Sequence, residues 1–160
     1  FLTGGSMIKK VSTEGSTFQE GHAMFETGTP RIAEAIGWGA AVDWLDQFEM
    51  TEIHSHVNSL AALAAELMGN IPGITVFGDP QRNDSSGAVS FLHDSIQSQD
   101  LALLLDEGGF AVRTGHHCAQ PLMDAMGVPS TNRASFWVYN TSEEVSSFAK
   151  HLSEVVSRFS

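Results

Sequence analysis

The order of periodic segments along the chain predicts an α/β protein: an α+β small domain in which a mixed or antiparallel sheet is covered by helices. Three observations carry this expectation. Apolar residues recur at helical spacing in four stretches; short β-rich runs come in two pairs; and one helical stretch separates the pairs. The 160 residues fit one domain, and 42% hydrophobic residues suffice for an ordinary core.

Met7 to Ser12 reads as a short strand. Residues 16–30 hold Gly21, Gly28 and Pro30 and read as irregular loop. From Arg31 to about Phe48 the pattern is helical, with Ile32, Ile36, Ala40 and Leu45 near one face. Gly37 and Gly39 cost stability there and suggest close packing against another element. Thr51 reads as the cap of a second helix running to Met68, with Ile53, Val57, Leu60, Ala64 and Leu67 on one side and Gly69 ending it.

Residues 71–73 form a turn, Ile74 to Phe77 a short strand, and Gly87 to Leu92 another. Asp94 or Ser95 opens a helix through Leu105 that stops at Gly108 and Gly109. Phe110 to Arg113 and Ala134 to Tyr139 read as strands. Thr141 and Glu144 have the spacing of a capping box, and Val145, Phe148, Leu152, Val155 and Phe159 continue as a helical stripe.

The formal net charge of −11 argues against nonspecific binding to nucleic acid or to an anionic membrane surface. No apolar run is long enough to span a bilayer. A single cysteine excludes an intrachain disulfide framework and fits a reducing, cytoplasmic setting. The first residue is Phe, not Met; the expectation is either a few extra residues before Met7 or a chain cut from something longer.

The chemistry concentrates in Arg113-Thr-Gly-His-His-Cys-Ala-Gln-Pro-Leu-Met123, which holds that one cysteine, Cys118. A free cysteine is often a buried small hydrophobe. Here His116, His117 and Arg113 are poor lining for an apolar core, and nearby cations favour the thiolate that does chemistry. Gly115 and Pro121 bracket the segment as a loop. A metal site is disfavoured: three adjacent residues do not converge easily on one ion, and structural zinc wants four spaced ligands. His54 and His56, two apart on a helix, point to different faces.

Arg113 and Arg133 each offer a planar fork for a carboxylate or phosphate; a surface ion pair is the alternative reading. Residues 26–30, Glu-Thr-Gly-Thr-Pro, precede a helix. They read either as an anion site or as an N-cap at Thr29 with Pro30 at the first helical position.

The cysteine segment resembles the active-site loop of the SUF-type (group II) cysteine desulfurases, class V aminotransferase-family enzymes of fold type I that depend on pyridoxal phosphate (PLP). Phe1-Leu-Thr-Gly-Gly-Ser-Met-Ile8, Phe25-Glu-Thr-Gly-Thr-Pro30, Asn132-Arg-Ala-Ser135 and Tyr139-Asn-Thr141 resemble further family segments in the same order. The resemblance implies that Cys118 takes sulfur from PLP-bound L-cysteine, leaving alanine and a persulfide. It implies that Arg133 holds the substrate carboxylate, that Thr29 with Gly28 reaches the phosphate of a partner's PLP across a homodimer, and that His117 and Arg113 shape the loop and favour the thiolate. The implied outlet is a sulfur-acceptor protein of the SufE type, supplying iron–sulfur clusters.

By the same resemblance, residues 1–50 belong to the large-domain side and dimer interface, and residues 51–160 are the C-terminal small domain. The family's Schiff-base lysine segment has no counterpart here, so the chain alone is expected neither to hold PLP tightly nor to desulfurate cysteine. Selenocysteine lyase activity, a stand-alone persulfide carrier and one half of a split enzyme are the alternatives. Trp38, Trp44 and Phe18 are expected to be exposed and to drive self-association.

Overall fold

The computed structural model describes residues 2–79 and 86–159. Phe1, part of the Gly-rich segment named above, lies outside them. The chain divides into two compact units, one up to Phe48 and one from Glu49 onward.

In the first unit, β1 (Ile8–Ser12) pairs antiparallel with β2 (Gly15–Phe18). This corrects the expectation of irregular loop from residue 16. Ser12 is opposite Gly15, so only Thr13 and Glu14 form the turn. All four β2 residues are exposed, which removes the apolar alternation that would have marked a strand. A 3₁₀ turn (Gly21–Phe25) follows, then α1 (Ile32–Leu45).

The cap of α1 is Arg31, not Thr29, and no side chain caps it. None of its residues is buried, and a Cβ on Gly37 or Gly39 would meet nothing within 4 Å. The packing expected at those glycines is therefore not found among the described residues.

The second unit is a four-stranded, wholly antiparallel sheet in the order β3-β4-β6-β5, with helices against it. Helix α2 (Met50–Gly69) buries Ile53, Val57, Leu60, Ala61, Ala64, Ala65 and Met68, the i, i+3, i+4 stripe of an amphipathic helix. It begins at Met50 with Glu49 as cap, two residues before the expected cap Thr51.

Strand β3 (Ile74–Phe77) matches its expected place, and β4 (Ala88–His93) lies one residue later than expected. Helix α3 (Ser98–Glu107) starts later than Asp94 or Ser95 because those residues form a turn of their own. There His93 Nδ1 accepts the amides of Ser95 and Ile96, at 3.1 Å each. Helix α5 (Ser142–Val156) carries the capping box as read: Thr141 Oγ1 accepts the Glu144 amide at 3.2 Å, and Glu144 returns to the Thr141 amide at 2.9 Å. Phe159, expected on its stripe, lies beyond the helix and is exposed.

Two strand expectations shift. β5 is Arg113–Gly115 rather than 110–113, and β6 is Thr131–Ser135 rather than 134–139. Pairing decides this, not hydrophobicity. Ala134 is opposite Val89 and Asn132 is opposite Phe91, so the ladder takes in polar residues and ends before the aromatic run 136–139. That run turns instead, with Asn140 Oδ1 accepting the Trp137 amide at 2.9 Å. A fifth helix, α4 (Gln120–Met126), takes in the end of the cysteine segment, where the sequence suggested only loop.

The core lies between one face of the sheet and helices α2, α3 and α5. Phe91, Met68, Leu101, Leu105 and Leu152 are fully buried within it. Each large side chain so buried stabilises the fold by about 1.5–3 kcal/mol relative to exposure. Because strand residues alternate between faces, the side of β4 and β6 opposite Val89, Phe91 and Ala134 carries Ser90 and Arg133. The core thus holds the sheet rigid while the opposite face carries polar and charged groups.

Candidate active site around Cys118

β5 and β6 bring the candidate residues together. Arg113 and Arg133 are direct partners in the β5–β6 register, so their side chains stand on the same face. Arg113 is exposed and Arg133 half-buried. Arg133 Nε is buried and makes no hydrogen bond. A guanidinium with a desolvated, unspent donor is suited to an anionic acceptor, since leaving such a group unpaired costs free energy.

After Gly115, whose φ of +117° suits a residue without a side chain, the chain makes a tight turn. The Ala119 amide donates to His116 O at 2.9 Å and closes it. The two central residues, His117 and Cys118, have φ of +57° and +60°. Paired positive φ values mark the primed turns that usually hold Asn and Gly. Two side-chain-bearing residues here are strained, by about 1–2 kcal/mol each. The strain sets out Cys118 as an exposed thiol at the tip of the turn. Arg113 Nη2 donates toward its sulfur at 3.8 Å. Pro121 in the first turn of α4 then carries the chain away from the site.

His117 does not supply a cation to this cluster. Its pKa is lowered from the usual 6.5, chiefly by burial, opposed by a hydrogen bond to the Thr131 backbone, and lowered further by Arg133, Arg113 and His116. The neutral ring sits with Nε2 3.1 Å from Thr131 O and 2.9 Å from Thr131 Oγ1. The cation next to Cys118 is Arg113, and the His117 ring is tethered to Thr131. Thr131 itself, buried completely, was not singled out in the sequence. Its signal was available only to a reading that started β6 three residues earlier.

Gly28 and Thr29 belong to the first unit. Gly28 has φ +88° and spends its amide on Gly5 O at 2.8 Å. Thr27 Oγ1 donates to Leu2 O at 3.1 Å, and a Cβ on Gly4 would lie 2.7 Å from Thr27 Cγ2. The segment is thus held closely against the Gly-rich stretch. Ser6, Thr29 and Pro30 line an open groove of about 800 Å³ at this end of α1. The Gly28 amide is engaged and Pro30 lacks one, while Thr29 has an amide and a hydroxyl to offer an anion.

The chain is similar to known cysteine desulfurases. The cysteine desulfurase of Haloferax volcanii is 43% identical over 145 residues, covering 91% of this chain and 34% of the relative. A probable cysteine desulfurase of Halalkalibacterium halodurans is 44% identical over 156 residues, covering 98% and 38%. The crystal structure of a cysteine desulfurase from Escherichia coli, in an S-sulfonic acid form, is 36% identical with a TM-score of 0.80. The match covers 98% of this chain and 38% of that one. The chain thus spans under two-fifths of the length of these relatives. The family described as aminotransferase class-V matches residues 1–148. With that match over nearly its whole length, and an α/β fold shared with solved cysteine desulfurases, this chain belongs to the class-V aminotransferase family.

Proposed function

We propose that this chain is the C-terminal, cysteine-bearing portion of a SUF-type cysteine desulfurase, in which Cys118 accepts sulfur from L-cysteine. The observation that supports this best is the placement of Arg113, which stands beside the exposed Cys118 thiol and directly opposite Arg133 in the β5–β6 ladder. Residues 1–50 then belong to the large-domain side and dimer interface, and 51–160 form the small domain.

PLP fits the chain in part only. Its aldehyde needs an amine, and the three lysines are unsuited: Lys9 and Lys10 are exposed on β1, and Lys150 is exposed on α5, 3.9 Å from Glu154. The cofactor's aldehyde would be bound by a lysine outside these 160 residues. Thr29, with Gly28 shaping its backbone, would meet a PLP phosphate across a homodimer. When bound, PLP supplies the electron sink that weakens the substrate's bonds.

The chain's own residues do the rest. Arg133 grips the L-cysteine carboxylate through its fork. The Cys118 thiolate, beside Arg113, attacks the substrate sulfur; a sulfur–sulfur bond forms and the substrate's carbon–sulfur bond breaks. The carbon side takes up a proton, so thiol plus L-cysteine becomes persulfide plus L-alanine. The exposed turn presents the persulfide to an acceptor protein of the SufE type in the cytoplasm, for iron–sulfur cluster assembly.

The test uses this chain alone and joined to a lysine-bearing desulfurase large domain. Alone, with PLP and L-cysteine, it should release no sulfide. In the joined protein, mass spectrometry should find one added sulfur atom on Cys118 and one alanine per sulfur. Arg133→Gln should raise KM for L-cysteine by about ten- to a hundredfold, the worth of a charged hydrogen bond. Sulfur accumulating on a Cys118→Ser protein, or none on the wild-type fusion, would overturn the reading.

A further inference from the structure

We propose that Thr131 is a positioning residue for the Cys118 thiol, acting through the ring of His117. The inference deepens the proposed function, because it rests on Cys118 being the sulfur-accepting group.

Thr131 is fully buried at the start of β6, opposite Gly115, the residue that leads into the cysteine turn. Both its backbone carbonyl and its hydroxyl face His117 Nε2, at 3.1 and 2.9 Å. A carbonyl can only accept, so Nε2 carries the ring proton and donates, with the hydroxyl as its second acceptor. The other ring nitrogen, Nδ1, is buried without a partner. Among the described residues, Thr131 is therefore the only polar anchor of this ring.

The anchor matters because of where it acts. His117 and Cys118 hold consecutive positive φ values that side-chain-bearing residues leave when nothing restrains them. The hydrogen bond at 2.9 Å between Ala119 and His116 closes the turn but fixes no side chain. The ring on Thr131 fixes His117, and His117 fixes the direction in which the next residue points its sulfur. That direction places Sγ 3.8 Å from Arg113 Nη2. The charged and titratable groups acting on the His117 ring are Arg113, Arg133 and His116; no acidic side chain appears among them.

The experiment compares alkylation of Cys118, the only thiol, by anionic iodoacetate and neutral iodoacetamide in the 160-residue chain. The ratio of the two rates reports the cationic field at the sulfur rather than the stability of the fold. The wild-type ratio should exceed that of free cysteine. Thr131→Val keeps volume, branching and the backbone carbonyl but removes the closer acceptor, the hydroxyl; it should lower the ratio measurably, by at most about fivefold, the effect of one unit charge near 4 Å in water. Thr131→Ser should restore it. An unchanged ratio in Thr131→Val overturns the proposal. Should that variant fail to fold by circular dichroism, Thr131→Ser and His117→Ala decide: a ratio kept in the first and lost in the second supports the proposal, and any other pattern overturns it. A wild-type ratio equal to that of free cysteine would instead remove the placement of Cys118 beside the guanidiniums, and the proposed function with it.

Discussion

Arg113 and Arg133 stand directly opposite each other in the β5–β6 ladder. Like charges so placed repel. The Arg133 Nε, buried and unpaired, adds a second cost. The sheet thus concentrates positive charge beside the thiol in a chain whose net charge is −11.

Replacing Arg133 by Met keeps the apolar stem and removes the repulsion. Its unfolding free energy should rise by about 0.2–1 kcal/mol, the scale of a cross-strand pair. Urea denaturation measures this; a loss of stability would mean that Arg133 is held by favourable contacts instead.

Cys118 occupies a position suited to glycine, at φ +60°. Cys118→Gly should therefore be more stable than Cys118→Ala by about 1 kcal/mol, or about 2–4 °C in Tm for a chain of this size. Equal melting temperatures would show that the turn is not strained.

His117 gives a pH dependence whose sign follows from its lowered pKa. The unfolded state binds the proton first, below about pH 6.5, while the folded state resists it. Stability contributed by the neutral ring is thus present above 6.5 and is lost as pH falls through the lower folded value. Denaturation midpoints between pH 7.5 and about 5 should fall more steeply for the wild type than for His117→Gln. Parallel curves would exclude the neutral, desolvated ring.

The first unit leaves Trp38 74% and Trp44 53% exposed, with Ile32, Ile36 and Phe48 also open. Apolar surface of this extent drives association. The 160-residue chain should self-associate in light scattering. Added salt should strengthen this by screening like charges, and Trp38→Ser with Trp44→Ser should weaken it. A monomeric mass at high concentration would count against the expectation.

Features set within a few residues were legible in the sequence. The Thr141–Glu144 capping box closes over three residues, and the stripes of α2 and α5 follow from helical periodicity. The cysteine segment, with Arg113 five residues before the thiol, placed the two groups close enough in sequence for a local turn to bring them together.

Tertiary structure decided what depends on residues far apart. Partners on other strands set the bounds of β5 and β6, which is why polar Thr131 and Asn132 lie buried while the aromatic run 136–139 turns away. His117 looks like a cation in sequence, yet burial lowers its pKa, while a partner fourteen residues away holds the ring in place. Hydrogen bonds within a turn are written in neighbouring letters; strand register and desolvation exist only once distant segments have come together, and those two effects shape the surroundings of Cys118.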